Sequence, residues 1–122
     1  MGLPLPATRV RFEHLTDTVR LAAQMWRGDT TPFQGIHARL EQPIGSPRPL
    51  SVPHPPILIG GTGEKKTLRL VARYADACNL FELADQDMVR HKLDVLQEHC
   101  RNENRDYAEI EKTTLGTLRL SR

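Results

Sequence analysis

The sequence predicts an α/β protein in which about three parallel strands alternate with helices, preceded by a proline-rich excursion. Three observations lead there. Short runs of strand-forming residues occur at 57–59, 77–81 and 112–120. Between them, apolar residues recur every three to four positions, the period of a helix with one buried face. Gly60, Gly61, Asp76 and Asp85 stand where one kind of pattern gives way to the next. Strands that alternate with helices of this length form right-handed parallel βαβ units.

Residues 1–10 hold Pro4 and Pro6 and no periodicity, so they are read as a mobile lead-in. Residues 11–122 are read as one partial domain. Phe12, Leu15, Val19, Ala22 and Trp26 make the stripe of a first helix that ends near Gly28. Residues 31–56 read as a hairpin around Gly35 and then a loop in which proline rules out both ladder and helix. The uniformly apolar Ile57–Leu58–Ile59 has the pattern of a strand covered on both faces. Glu64 to Ala75 follows as a helix, with Leu68, Val71, Ala72 and Ala75 on one face. Ala77 to Phe81 is the second strand. Asp85 caps a helix whose inward stripe is Val89, Leu93, Leu96 and Cys100. Lys112 to Leu120 is the third strand, with Gly116 as a possible bulge site.

Composition removes several function classes. Seventeen basic and 15 acidic residues leave a net charge of +2 without a block of like charge, so a nucleic-acid backbone finds no matching stripe. No apolar run approaches the roughly 20 residues of a membrane span, and MGLPLPATRV lacks the charged start and apolar stretch of a signal peptide, which makes the cytoplasm the expected compartment. Cys78 and Cys100 fit no metal spacing and read as reduced, buried small hydrophobes; no metal site is expected.

The stretch that carries chemistry is ILIGGTGEKKTLRLVARYADACNLF, residues 57–81. Where a parallel strand hands over to a helix, the first N–H groups of the helix lack internal partners and the helix dipole adds positive charge. A phosphate satisfies both. Gly60, Gly61 and Gly63 keep side chains out of such a ligand's way, Thr62 offers a hydroxyl, and Lys65, Lys66 and Thr67 stand one turn on. The alternative is a tight βα turn with no ligand. GGTG is neither a Walker loop nor a complete dinucleotide fingerprint, and both readings stay open on pattern alone.

PPILIGGTGEKKTLRLVARYADACNLF resembles the corresponding stretch of the luciferase-like monooxygenase family, especially its F420-dependent oxidoreductases. RFEHLTDTVRLAAQMWRGD and FQGIHARLEQP resemble the same family in the same order. The resemblance implies part of a TIM (β/α)8 barrel of luciferase-like type. It also implies a coenzyme F420 site, with FMN as the alternative, at the carboxyl end of the strands. Gly60, Gly61, Thr62 and Gly63 would then hold the cofactor's phosphate region. In the complete protein, hydride would pass between reduced cofactor and an organic substrate. A full barrel needs about 250 residues, so a 122-residue chain is expected to be catalytically incomplete by itself. Open sheet edges would then favour self-association or a complementing chain. A non-catalytic binding or assembly module and an inactive truncated product are the competing readings.

Other polar residues have plainer expectations. His14, His91 and His99 read as solvated helix-surface residues. His37 and His54 lie in the excursion, which in the family borders the barrel mouth. Glu82 follows the second strand, Asn79 lies within it, and Trp26 completes an apolar stripe.

Overall fold

The computed structural model describes residues 4–81 and 85–116. Glu82 and the end of the third expected strand, from 117 on, lie outside the described residues. The chain divides into two compact units, Met1–Pro55 and Pro56–Arg122.

The first unit is built on α1 (Thr8–Trp26) and a hairpin of β1 (Phe33–Gln34) and β2 (Arg39–Leu40), paired antiparallel with Phe33 opposite Leu40. The helix starts at Thr8, within the segment expected as a lead-in, because Pro6 lies just before its first turn and costs it no hydrogen bond. It ends as the sequence suggests. Gly28 takes φ +71° and its N–H bonds to the Met25 carbonyl, 2.9 Å away, a left-handed closure that glycine makes without steric cost.

What joins helix to hairpin is a buried acid. Asp17, only 2% exposed, accepts hydrogen bonds from the N–H groups of Ile36 (2.9 Å), His37 (2.7 Å) and Ala38 (3.1 Å). Gly35 must be glycine here, since a Cβ would lie 2.5 Å from the Asp17 carboxylate. Burial works against ionisation of Asp17, but the three N–H donors, with Arg20 nearby, outweigh it and hold the carboxyl below its ordinary value.

The second unit is a parallel sheet in the order β3 (Leu58–Gly60), β4 (Ala77–Phe81), β5 (Glu111–Leu115), crossed by α2 (Thr67–Tyr74) and α3 (Gln86–Asn102), with a short 3-10 turn at Tyr107–Glu109. Side chains alternate across a strand. Ile59, Cys78 and Leu80 point to one face and are buried, together with Leu68, Val71 and Ala72 of α2 and Leu96 and Cys100 of α3. Burial pushes both thiols up, and neither forms a disulfide. The other face carries Leu58, Gly60, Asn79, Phe81 and Leu115. Its large apolar residues stay exposed, Leu58 by 55%, Phe81 by 39% and Leu115 by 64%. The expectation that the first strand is covered on both faces is therefore not met: the face of Ile59 is covered and that of Leu58 and Gly60 is open.

Asp76 ties the strands together at their start. Its carboxylate accepts from the Ile57 N–H (2.8 Å), its own N–H donates to the Ile57 carbonyl, and its carbonyl accepts from Glu111 N–H (2.9 Å). Asp85 caps α3 as expected, accepting from Met88 N–H at 2.7 Å.

Candidate phosphate turn

The connection from β3 to α2 is longer than the sequence suggests. Helix begins at Thr67 rather than Glu64, so residues 61–66 form an open turn beyond the carboxyl end of the strand. The Gly61 N–H bonds to the Asn79 carbonyl (2.9 Å), which fixes the start of the turn to β4. The Leu68 N–H bonds to the Gly63 carbonyl (3.0 Å), which fixes its far side to α2.

The three glycines do different jobs. Gly61 has φ +135°, and a Cβ on it would lie 3.0 Å from Thr67 Cγ2; a Cβ on Gly63 would lie 2.8 Å from Thr67 Oγ1. Both are therefore required by close packing over buried Thr67. Thr67 is buried, with its Oγ1 beside Gly63. Gly60 is the one that keeps space clear: a Cβ there would meet nothing closer than 3.9 Å.

No acceptor among the described residues takes the N–H groups of Thr62, Gly63, Glu64 or Lys65. No side chain caps α2, and its first turn contains no acid. α3 differs on both counts, with the Asp85 cap and Asp87 in its first turn. The one acid in the turn, Glu64, is already engaged by α3. Its carboxylate accepts from Lys92 and from His91 Nε2 (3.1 Å). The Lys92 hydrogen bond, against some desolvation and with His91 adding to it, holds the Glu64 carboxyl below its usual value. The turn thus offers N–H donors, the Thr62 hydroxyl and exposed Lys65 without an unneutralised carboxylate among them. That is the donor set a phosphate requires.

The remaining polar residues fall elsewhere. His99 is not simply solvated, since its Nε2 reaches the Glu64 carbonyl at 2.8 Å. His91 stays exposed. In the first unit His37 bonds Glu13 (2.9 Å) and stacks on His14, with centroids 4.4 Å apart, while His54 stacks on Trp26 at 5.9 Å. Trp26 therefore has a partner beyond the apolar stripe expected of it. The Asn79 amide oxygen is buried and meets no partner among the described residues. Asp17 and Lys92 had no place in the sequence reading, and Glu64 and His99 stood there only as a helix start and a solvated surface residue. Their partners lie 19 to 35 residues away, and only an acid on a helix face, or histidines at a spacing of eight, hinted at them. Among the described residues no cluster of ligating side chains fits a metal ion, and no helix is long and apolar enough to cross a membrane.

A parallel sheet with helices between its strands and a glycine turn at the strands' carboxyl end defines an α/β protein of the kind that binds its ligand at that end. Residues 1–120 match the luciferase-like monooxygenase family, and the chain belongs to it. Similar proteins include the F420-dependent glucose-6-phosphate dehydrogenase of Nakamurella multipartita, 34% identical over 76 residues, which are 62% of this chain and 22% of that one. Among solved structures, an F420-dependent secondary alcohol dehydrogenase in complex with an F420–acetone adduct superposes with a TM-score of 0.79. It is 19% identical and covers 91% of this chain and 33% of its own, a likeness of fold. The chain thus spans about a fifth of the curated relative and a third of the solved one.

Proposed function

We propose that this chain carries the phosphate-holding portion of a coenzyme F420 site in an oxidoreductase of the luciferase-like family. The observation behind this reading is the run of N–H groups from Thr62 to Lys65 that meet no acceptor among the described residues, set between a parallel strand and an uncapped helix. Gly60, Gly61, Thr62 and Gly63 form the cradle. Thr62 and the backbone donate to phosphate oxygens, Gly60 leaves room above the strand, and Gly61 and Gly63 shape the loop. F420 is preferred to FMN because both relatives named above are F420-dependent. Bound F420 would supply a ring that exchanges hydride with an organic substrate. This chain's part is to anchor the phosphate end so that the ring is placed accurately, the positional contribution that a cofactor enzyme's scaffold makes. The proposal includes a cytoplasmic setting.

A second reading has its own support. Leu58, Phe81 and Leu115 expose apolar surface on one face of the sheet, and such a surface suits association with a complementing chain or a second copy. On that reading the chain is an assembly module without catalysis of its own.

Fluorescence titration with F420 and separately with FMN distinguishes the two, using the wild type and Gly60→Ala. Alanine fits Gly60 without a clash, so a loss of binding in a folded variant reports ligand contact and not misfolding. Saturable F420 binding lost in Gly60→Ala supports the anchor. An oligomeric wild type that binds neither cofactor supports the assembly module.

A further inference from the structure

A turn holds an anion only if its N–H groups converge, and a loop of Gly-Gly-Thr-Gly is free to point them in many directions. Two of its bonds come from its own neighbours in the sheet and α2, as described above. The peptide that follows them, Glu64–Lys65, is held from α3, more than 25 residues further along the chain.

The Glu64 carbonyl accepts from His99 Nε2 at 2.8 Å, while the Glu64 carboxylate accepts from Lys92 and His91. A carbonyl can only accept, so His99 carries a proton on Nε2. The Gly63–Glu64 and Glu64–Lys65 peptides are trans, the cis bonds among the described residues being those before Pro47 and Pro53. In a planar trans peptide the N–H points opposite to the carbonyl. The Glu64 carbonyl faces α3, so the Lys65 N–H faces away from α3. The Gly63 carbonyl faces into α2 toward Leu68, so the Glu64 N–H faces out of that helix's amino end. Neither N–H meets an acceptor among the described residues.

We propose that His99, supported by Lys92, is a positioning residue for the anion site: from α3 it sets the plane of the Glu64–Lys65 peptide so that the Lys65 N–H is presented to a phosphate. The inference rests on the phosphate reading of the turn. His99 lies behind the loop and acts through the backbone, while Lys92 neutralises Glu64 and keeps its side chain from swinging toward the ligand. In sequence the two are one lysine and one histidine on a polar helix, seven apart.

The test titrates the whole chain with inorganic phosphate and follows the Glu64 and Lys65 amide cross-peaks by NMR, in wild type, His99→Leu and His99→Gln. Glutamine can donate from its amide nitrogen to the same carbonyl, whereas leucine cannot. The expected result is about tenfold weaker phosphate binding in His99→Leu, the scale of one lost hydrogen bond, with recovery to within about threefold in His99→Gln. Unchanged affinity in a folded His99→Leu overturns the positioning role and leaves the phosphate reading standing. Equal losses in both variants also overturn it, because a bulk effect would then be the cause. Wild-type amides that do not respond to phosphate overturn both readings. Should His99→Leu fail to fold, His99→Met, which also cannot donate, takes its place: weakened binding recovered in His99→Gln supports the proposal and unchanged binding overturns it.

Discussion

The hairpin of the first unit and the glycine turn of the second both hold several backbone N–H groups within a short stretch, and they differ in what those groups meet. At the hairpin, Ile36, His37 and Ala38 all donate to Asp17, an anion the chain supplies from its own helix. At the turn, the N–H groups from Thr62 to Lys65 meet no acceptor among the described residues, and the nearby carboxylate is turned away to Lys92. A loop with its anion built in is a structural joint. A loop that collects donors, excludes free carboxylates and keeps one glycine clear has the composition of a site for an external anion. On the proposed function, the same physics of N–H groups in a short stretch serves folding in one unit and binding in the other.

The comparison is broken most severely by removing the internal anion. Asp17→Ala should destabilise the first unit by about 3 kcal/mol, since three N–H groups lose a charged acceptor in a buried place; urea unfolding of the variant checks this. Acid should act in the same direction. The Asp17 carboxyl lies below its ordinary value when folded, so its stabilisation is present above the unfolded carboxyl range and fades as pH falls through the lower folded value. Wild type should therefore lose stability below about pH 4 more steeply than Asp17→Asn, whose side chain does not titrate. Parallel losses in the two would argue against this role.

A smaller effect is expected at Gly61. Its φ of +135° and its contact with Thr67 make Gly61→Val costly by about 2 kcal/mol, so any loss of ligand there mixes folding with binding. Gly60→Ala sharpens the contrast. Its melting temperature should match wild type within error, because alanine meets only ordinary contacts, while F420 affinity falls. A destabilised Gly60→Ala would mean that this glycine too serves packing.

Much of the second unit was legible locally. Ala77–Phe81 is the expected strand with the expected bounds, and Asp85 caps the next helix, because periodicity and capping depend on near neighbours. The strand before it shifted by one residue, since Asp76 takes both the N–H and the carbonyl of Ile57. The helix after it started three residues late because Glu64 is drawn to α3 by contacts 27 to 35 residues away. At the candidate site, GGTG pointed to the turn but not to the division of labour among its glycines. Only the packing over Thr67 separates Gly61 and Gly63, which shape the loop, from Gly60, which leaves it open. Asp17 was invisible for a similar reason: an acid on an amphipathic helix reads as solvated until its hairpin partners are brought beside it.

The most direct test of the contrast is a phosphate titration of the whole chain in which the amide cross-peaks of both loops are read in one NMR spectrum. The amides of Thr62, Gly63 and Lys65 should shift in a saturable way while those of Ile36, His37 and Ala38 stay still. Shifts at the hairpin amides, or silence at the glycine turn of a folded chain, would contradict the division between an internal and an external anion.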